Sequence, residues 1–337
     1  HHAYRAATDQ LLVLSNAGET DLTILRASPE AVVHDFFRNN RNHFSELEDA
    51  ASRFWDGGRP ASDDVYGALK RRLKDRLGLR TRVVPVPDMP DTLREYDEDN
   101  REVRLSEGLD HPNRTFQLAH TIGLIEQREI IDTILSRLAI DDPAGLTRCR
   151  VELANYFAAA VLMPYDAFLK EALESKYDLA YLSLRFGVSF EQACHRATTL
   201  QREGAEGVPL FFLRIDKAGN VTKRFNSTGF HLAEYGGACP RLEVHSCFRS
   251  PGTIISQLVE MPDGGRFFVF SRTVDRPRFT RHTQDKRLVV AMGCGIEHLA
   301  AIGYAEDIRQ GNPKFTEVGI NCRICPRANC DQRAHNA

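Results

Sequence analysis

The 337 residues contain no apolar run long enough to cross a bilayer, and no apolar core of a signal peptide follows the N-terminus. An excess of one charge is missing too. Lys and Arg number 44 against 46 Asp and Glu, for a net charge of −2 and a pI of about 6.7. A chain without a basic field has no general affinity for nucleic acid. Cysteine is sparse, eight in all, which is too dilute for a disulfide scaffold. Without an export signal, these thiols are expected in a reducing cytoplasm, where clustered Cys bind metal more often than they pair. The chain has no internal repeat and no low-complexity tract. What remains, 42% hydrophobic and 27% charged, is the composition of a soluble globular protein with two or three cores. His1-His2-Ala3 reads as the remnant of a tag, so natural residues are expected upstream of it.

A zinc-peptidase helix is also incomplete. Such a helix needs His-Glu-x-x-His: two imidazoles four residues apart hold the metal, and the Glu takes a proton from its water. In "FQLAHTIGLIE", residues 116–126, His120 is present, but Thr121 stands in place of the Glu and Leu124 in place of the second His. Glu152 in "ELANYFAAAVLMP" offers one carboxylate downstream. One His and one carboxylate make a poor zinc site with no base, so the expectation is no proteolysis, and His120 alone reads equally as a packing residue.

The periodicities describe an α+β chain. Residues 4 to 60 read as helical, with a break at Asp56 to Pro60. "DDVYGALKRRLKDRLG" has helical spacing and stops at Gly78, "RTRVVPV" is a strand, and "TLREYDEDNREVRL" is a hairpin turning at Asp97 to Asn100. "NRTFQLAHTIGLIEQREIIDTIL" and "CRVELANYFAAAVLMP" are helices, and residues 176 to 203 hold two more. From residue 208 the period becomes two. "VPLFFLRIDKAGNVTKRF" and "TIISQLVEMPDGGRFFVFSRTV" are hairpins, and "RLVVAMGC" is a strand leading into a helix over "IEHLAAIGYAEDI". This half reads as an antiparallel ligand-binding unit.

"LAYLSLRFGVSFEQACHRATTLQ" has helix–turn–helix spacing, with Gly187 in the turn and Ser189 as the cap. Its second helix would offer Gln192, His195 and Arg196 to a groove. It has few cations for phosphates, so a packing role is favoured over DNA reading.

The tail "NCRICPRANC" crowds Cys322, Cys325 and Cys330 together. Cys149 and Cys194 read as small core residues, and Cys239 and Cys247 fit no metal spacing. Cys294, between glycines at a strand-to-helix turn, is the expected fourth thiolate, giving C-x27-C-x2-C-x4-C. Three close Cys, one remote, and a Pro after a ligand favour an iron–sulfur cluster over structural zinc, with a disulfide or bare thiols behind them.

Several stretches together resemble one family. They are "LAHTIGLIE", "ELANYFAAAVLMP", "KRFNSTGFHLAEYGGACP", "HSCFRSPGTIISQL" and "CRICPRANCDQRA". They look like bacterial short-chain fatty acyl transcriptional regulators, most closely the regulators of propionate catabolism through the methylcitrate cycle. Residues 63–204 are similar to an IrrE/ImmA-type metallopeptidase domain that has lost its chemistry. The resemblance implies a helical N-terminal segment (1–62), the degenerate peptidase segment (63–204), an acyl-CoA-binding α+β domain (205–310) and a Cys-rich tail (311–337). It also implies a [4Fe–4S] cluster, coenzyme A or a short-chain acyl-CoA as ligand, a homo-oligomer, and DNA contact through an upstream domain. A CoA site needs cationic forks and aromatic platforms. Lys223, Arg224, Phe225, Arg249 and Arg272 are the candidates, with Tyr156 and Phe157 facing the acyl or pantetheine arm. The competing readings are a CoA-dependent or iron–sulfur enzyme, for which His282, His298 and Glu297 form no motif, and a zinc-stabilised interaction scaffold.

Overall fold

The computed structural model describes residues 29–334, apart from 56–57, 62–63, 90–91, 138–141, 231–236, 276–285, 311–313, 321 and 323–324. The expectation of helix before residue 29, and His282, lie outside the described residues. Two short helices come first, α1 (Pro29–Asn39) and α2 (Ser45–Ser52). Next is α3 (Val65–Leu77), which buries Val65, Leu69 and Leu73 and ends on Gly78 at φ 63°. That left-handed cap is the position glycine fills without strain.

β1 (Arg80–Val84), β2 (Arg94–Asp97) and β3 (Glu102–Ser106) form a small sheet of order β1-β3-β2. β1 runs parallel to β3, and β2 antiparallel to it. Helix α4 (His111–Glu126) begins at Asp110, whose carboxylate accepts from the Asn113 N–H. The single helix read over residues 113–135 is interrupted at Gln127, and α5 (Arg128–Ser136) turns Ile131, Ile134 and Leu135 into the core. No Gly or Pro marks that break, so tertiary packing rather than propensity sets it. Helix α6 (Pro143–Leu162) is capped by Asp142 and hides Tyr156, Phe157 and the Ala158–Ala160 run. Gly123 of α4 lies against it. A Cβ there would sit 2.8 Å from the Phe157 ring, so the close crossing of α4 and α6 depends on a bare backbone.

Helices α7 (Tyr165–Glu174), α8 (Leu179–Phe186) and α9 (Phe190–Ala197) complete the helical half. α9 carries a full capping box between Ser189 and Gln192. A two-stranded ladder, β4 (Gln201–Arg202) with β5 (Ala205–Glu206), leads on to a six-stranded sheet. Its strands are β6 (Phe211–Ile215), β7 (Val221–Asn226), β8 (Ile255–Glu260), β9 (Arg266–Val274), β10 (Leu288–Gly295) and β11 (Thr316–Glu317). The order is β11-β8-β9-β10-β6-β7, antiparallel except for β11 on β8. The helix expected after β10 is replaced by 3-10 turns at Ile296–Ala301 and Gly303–Ala305 and a short helix α10 (Glu306–Gln310). Gly303 donates its N–H to the Lys176 carbonyl instead of continuing a helix.

The six-stranded sheet buries both faces, which makes β10 almost continuously apolar. Val290, Met292 and Cys294 join the large core shared with the helices. Val289 and Ala291 join a second, smaller core with Cys239, Leu242, Cys247 and Val318. Strand alternation alone divides them.

Candidate functional site

Two places carry chemistry. The first is the position of the degenerate peptidase motif. His120 is buried on α4, and Arg94 from β2 donates through Nη1 to its Nδ1 and to Thr121 Oγ1. A guanidinium only donates, so His120 Nδ1 must accept, and the imidazole is neutral. Burial, with the Arg94 charge second, lowers its pKa to about 4. Glu152 on α6 is buried, yet its pKa falls to about 2. Burial pushes it up, and the charge and hydrogen bond of Lys223 outweigh that. Lys223 Nζ lies 2.9 Å from Glu152 Oε2. Lys223 comes from β7, so the six-stranded sheet reaches into the helical half at this point. Beside it Phe225 packs against His195, the rings tilted at 41° with centroids 4.2 Å apart. His195 is held neutral, at about 3, by burial and then by Lys223.

The helix–turn–helix stretch shows no free reading face. Arg196 is fully buried and grips both oxygens of Glu48 at 2.6 and 3.0 Å. His195 is buried, and Gln192 is spent on the Ser189 N–H and on Asn113.

The second place is the tail. Cys322, Cys325 and Cys330 line one small cavity, of about 10 Å³, and the fourth cysteine there is Cys239. Cys294, the fourth thiolate expected from the sequence, does not line this cavity. Cys294 is fully buried on the opposite face of the sheet, its thiol pushed up to about 12 by burial and by Glu297. The Gly319 N–H donates to Cys239 Sγ at 3.3 Å, and a Cβ on Gly319 would lie 2.5 Å from Cys325 Sγ. Arg241, Arg327 and Arg333 line the same cavity. Arg327 donates to the Val318 and Glu260 carbonyls, and Arg333 to that of Cys325, while Arg333 Nη1 is buried without a partner. The sequence carried one signal for Cys239: Cys239-Pro240 repeats the Cys325-Pro326 dipeptide.

The expected CoA contacts are scattered. Tyr156 and Phe157 are completely buried, Tyr156 donating to Glu48 Oε1 at 2.6 Å, so neither presents a surface to a ligand here. Phe225 is also buried. Arg224 stands near enough to His34 to disfavour its charge, after burial and the pull of Asp35. Arg272 lies 4.7 Å from the Phe190 ring, its Nε buried without a partner, and Arg249 is exposed at the end of a 3-10 turn. Cys149 and Cys194 are core residues, and His298 lies 3.7 Å from Glu297. No described helix is long and apolar enough to cross a membrane.

Comparison with known proteins accounts for both halves. Residues 74–198 match an IrrE N-terminal-like domain, and residues 199–337 match the C-terminal domain of a short-chain fatty acyl coenzyme A regulator. A propionyl-CoA carboxylase regulator of Cereibacter sphaeroides is 36% identical over 99% of this chain and 70% of its own length. The transcriptional regulator PrpR of Mycobacterium tuberculosis is 37% identical over 99% of this chain and 69% of its own, and RamB of that organism is 34% identical over 100% and 72%. A solved Mycobacterium tuberculosis transcriptional regulator superposes with a TM-score of 0.84 at 34% identity, covering 91% of this chain and 93% of that one. The chain belongs to the short-chain fatty acyl coenzyme A regulator family.

Proposed function

We propose that this chain is the sensor region of a cytoplasmic regulator of propionate and related short-chain fatty acid metabolism, that it binds a short-chain acyl-CoA, and that its tail holds a [4Fe–4S] cluster. The observation that carries the cluster reading is the meeting of Cys239 with Cys322, Cys325 and Cys330 among three arginines. Four thiolates are the donor set of such a cluster, and the resulting anion is balanced by guanidinium groups. The donors fit, although the thiols are not drawn to one centre. Among the described residues no three or more His, Cys, Asp or Glu are so arranged. When bound, the group would supply a structural clamp or a one-electron input. The chain's own part is to hold the thiols: Gly319 supports Cys239 and leaves room for Cys325, and Arg327 and Arg333 pin the tail backbone to the sheet.

The test is an anaerobic visible spectrum with iron, sulfide and zinc assayed on the same sample. Brown protein that becomes colourless in Cys239→Ser but stays brown in Cys294→Ser is the expected result. Colourless wild-type protein with one zinc would leave a structural knob. For acyl-CoA, Arg224, Arg249 and Arg272 are the residues that can still meet phosphates, with Lys223 behind them. Unchanged propionyl-CoA affinity after Arg224→Ala and Arg249→Ala would remove them. DNA contact would use a domain outside the part matched here, since the relatives are longer, and the chain is expected to act as a homo-oligomer. The peptidase-like segment serves as scaffold, because Arg94 and Lys223 stand on the residues that would hold a metal.

A further inference from the structure

A cavity of about 510 Å³, separate from the thiol pocket, opens between α4, the end of α3 and the small sheet. That volume is within the range of small-ligand sites. Leu77, Leu79, Leu124 and Ile125 give it apolar walls, and Arg94 and Thr121 its polar floor. Ile125 and Tyr96, which stands at the rim, are 42% and 47% exposed, among the few large apolar side chains that the described surface leaves open. Two of the cationic groups can be separated by what holds them. Arg101 is spent on the Leu77 and Gly78 carbonyls. Arg94 donates only to neutral groups, His120 and Thr121, and among the described residues no carboxylate pairs with it. Among the described residues the one acid on the wall is Glu95, which leans toward Arg104 at 3.8 Å. A partly buried guanidinium that lacks an anion, under an apolar wall, is half of an ion pair.

We propose that this cavity binds a single-headed oxyanion, carboxylate or phosphate, on a short aliphatic chain, with Arg94 as the anchor for the head and Leu124 and Ile125 as the bed for the tail. The site lies outside the six-stranded sheet and does not rest on the acyl-CoA reading.

Calorimetric titration of the whole chain with sodium octanoate and with octyl phosphate tests it, with octanol and octylammonium as controls. At least one of the two anions binds the wild type, and the tighter one identifies the head. Arg94→Gln weakens it by about tenfold or more, as loss of a charged hydrogen bond should. Ile125→Asp, at an exposed position that the fold tolerates, does the same by repulsion and decides the matter if Arg94→Gln does not fold. Binding of octanol as tight as that of the anions, absence of binding, or anion affinity unchanged in the folded variants would each overturn the proposal. Propionyl-CoA affinity stays unchanged in Ile125→Asp. If propionyl-CoA displaced octanoate, the two would share one site and the separate site would fall.

Discussion

Arg196 heads the fully buried side chains by size. Its guanidinium is held by Glu48, by the Met163 carbonyl and by Thr199 Oγ1, and Tyr156 donates to the same carboxylate. The sequence showed a helix with few cations, which favoured packing over phosphate reading but named no partner for Arg196. That partner is Glu48, far away along the chain and brought close only in the fold. Burial pushes the Glu48 carboxyl up, and the charge and hydrogen bonds of Arg196 bring it below the usual range. Arg196→Leu strands that carboxylate, and a loss of about 3–5 kcal/mol is expected in urea denaturation. Adding Glu48→Met should restore much of it, since an apolar pair needs no partner. A loss under about 1 kcal/mol in the single variant would mean that solvent reaches Glu48.

At the scale of elements, period and punctuation carried far. Gly78 ends α3, Asp110 and Asp142 cap α4 and α6, and the hairpins turn where their glycines stand. Three placements share a cause. The break at Gln127, the loss of helix after β10 and the choice of Cys294 all depend on which face of an element meets which neighbour. For Cys294 the decision is one residue of strand parity: Val289 and Ala291 lie on the side of the tail, and Cys294 falls on the other. Helix crossings are open to the same reasoning. Gly123→Val should force α4 from α6 at Phe157 and cost about 1–3 kcal/mol as an overpacked core, read as a lowered melting temperature. An unchanged melt would show that the crossing has slack.

The whole molecule responds to acid through groups held away from their ordinary protonation. His120 and His195 are kept neutral with pKa values of about 4 and about 3, and Glu152 is kept charged at about 2. Each folded value lies below the unfolded one, so the unfolded chain takes up more protons as pH falls. The histidine share of stability is whole above about pH 6.5 and is lost toward pH 4 and then pH 3, at roughly 1.4 kcal/mol per pH unit for each group. The Glu152 share is lost from about pH 4.5 toward 2. Melting temperature should therefore fall steadily between pH 6.5 and 5, and a flat profile would contradict the burial of these imidazoles. Lys223→Met leaves Glu152 without its ammonium across the boundary of the two halves. It should lower the melting temperature at pH 7 and shrink the further loss between pH 4.5 and 2, because burial alone raises the Glu152 carboxyl.

Arg94 and Lys223 set fixed positive charge against His120 and Glu152, at a point that the IrrE N-terminal-like segment shares with the sheet. Their positive charge is encoded in the chain, is present as soon as it is translated, and cannot be chelated or exchanged. EDTA should leave the helical half as it is, whatever it does to the tail. Held together by side chains of its own, this part of the fold carries its counter-charges with it.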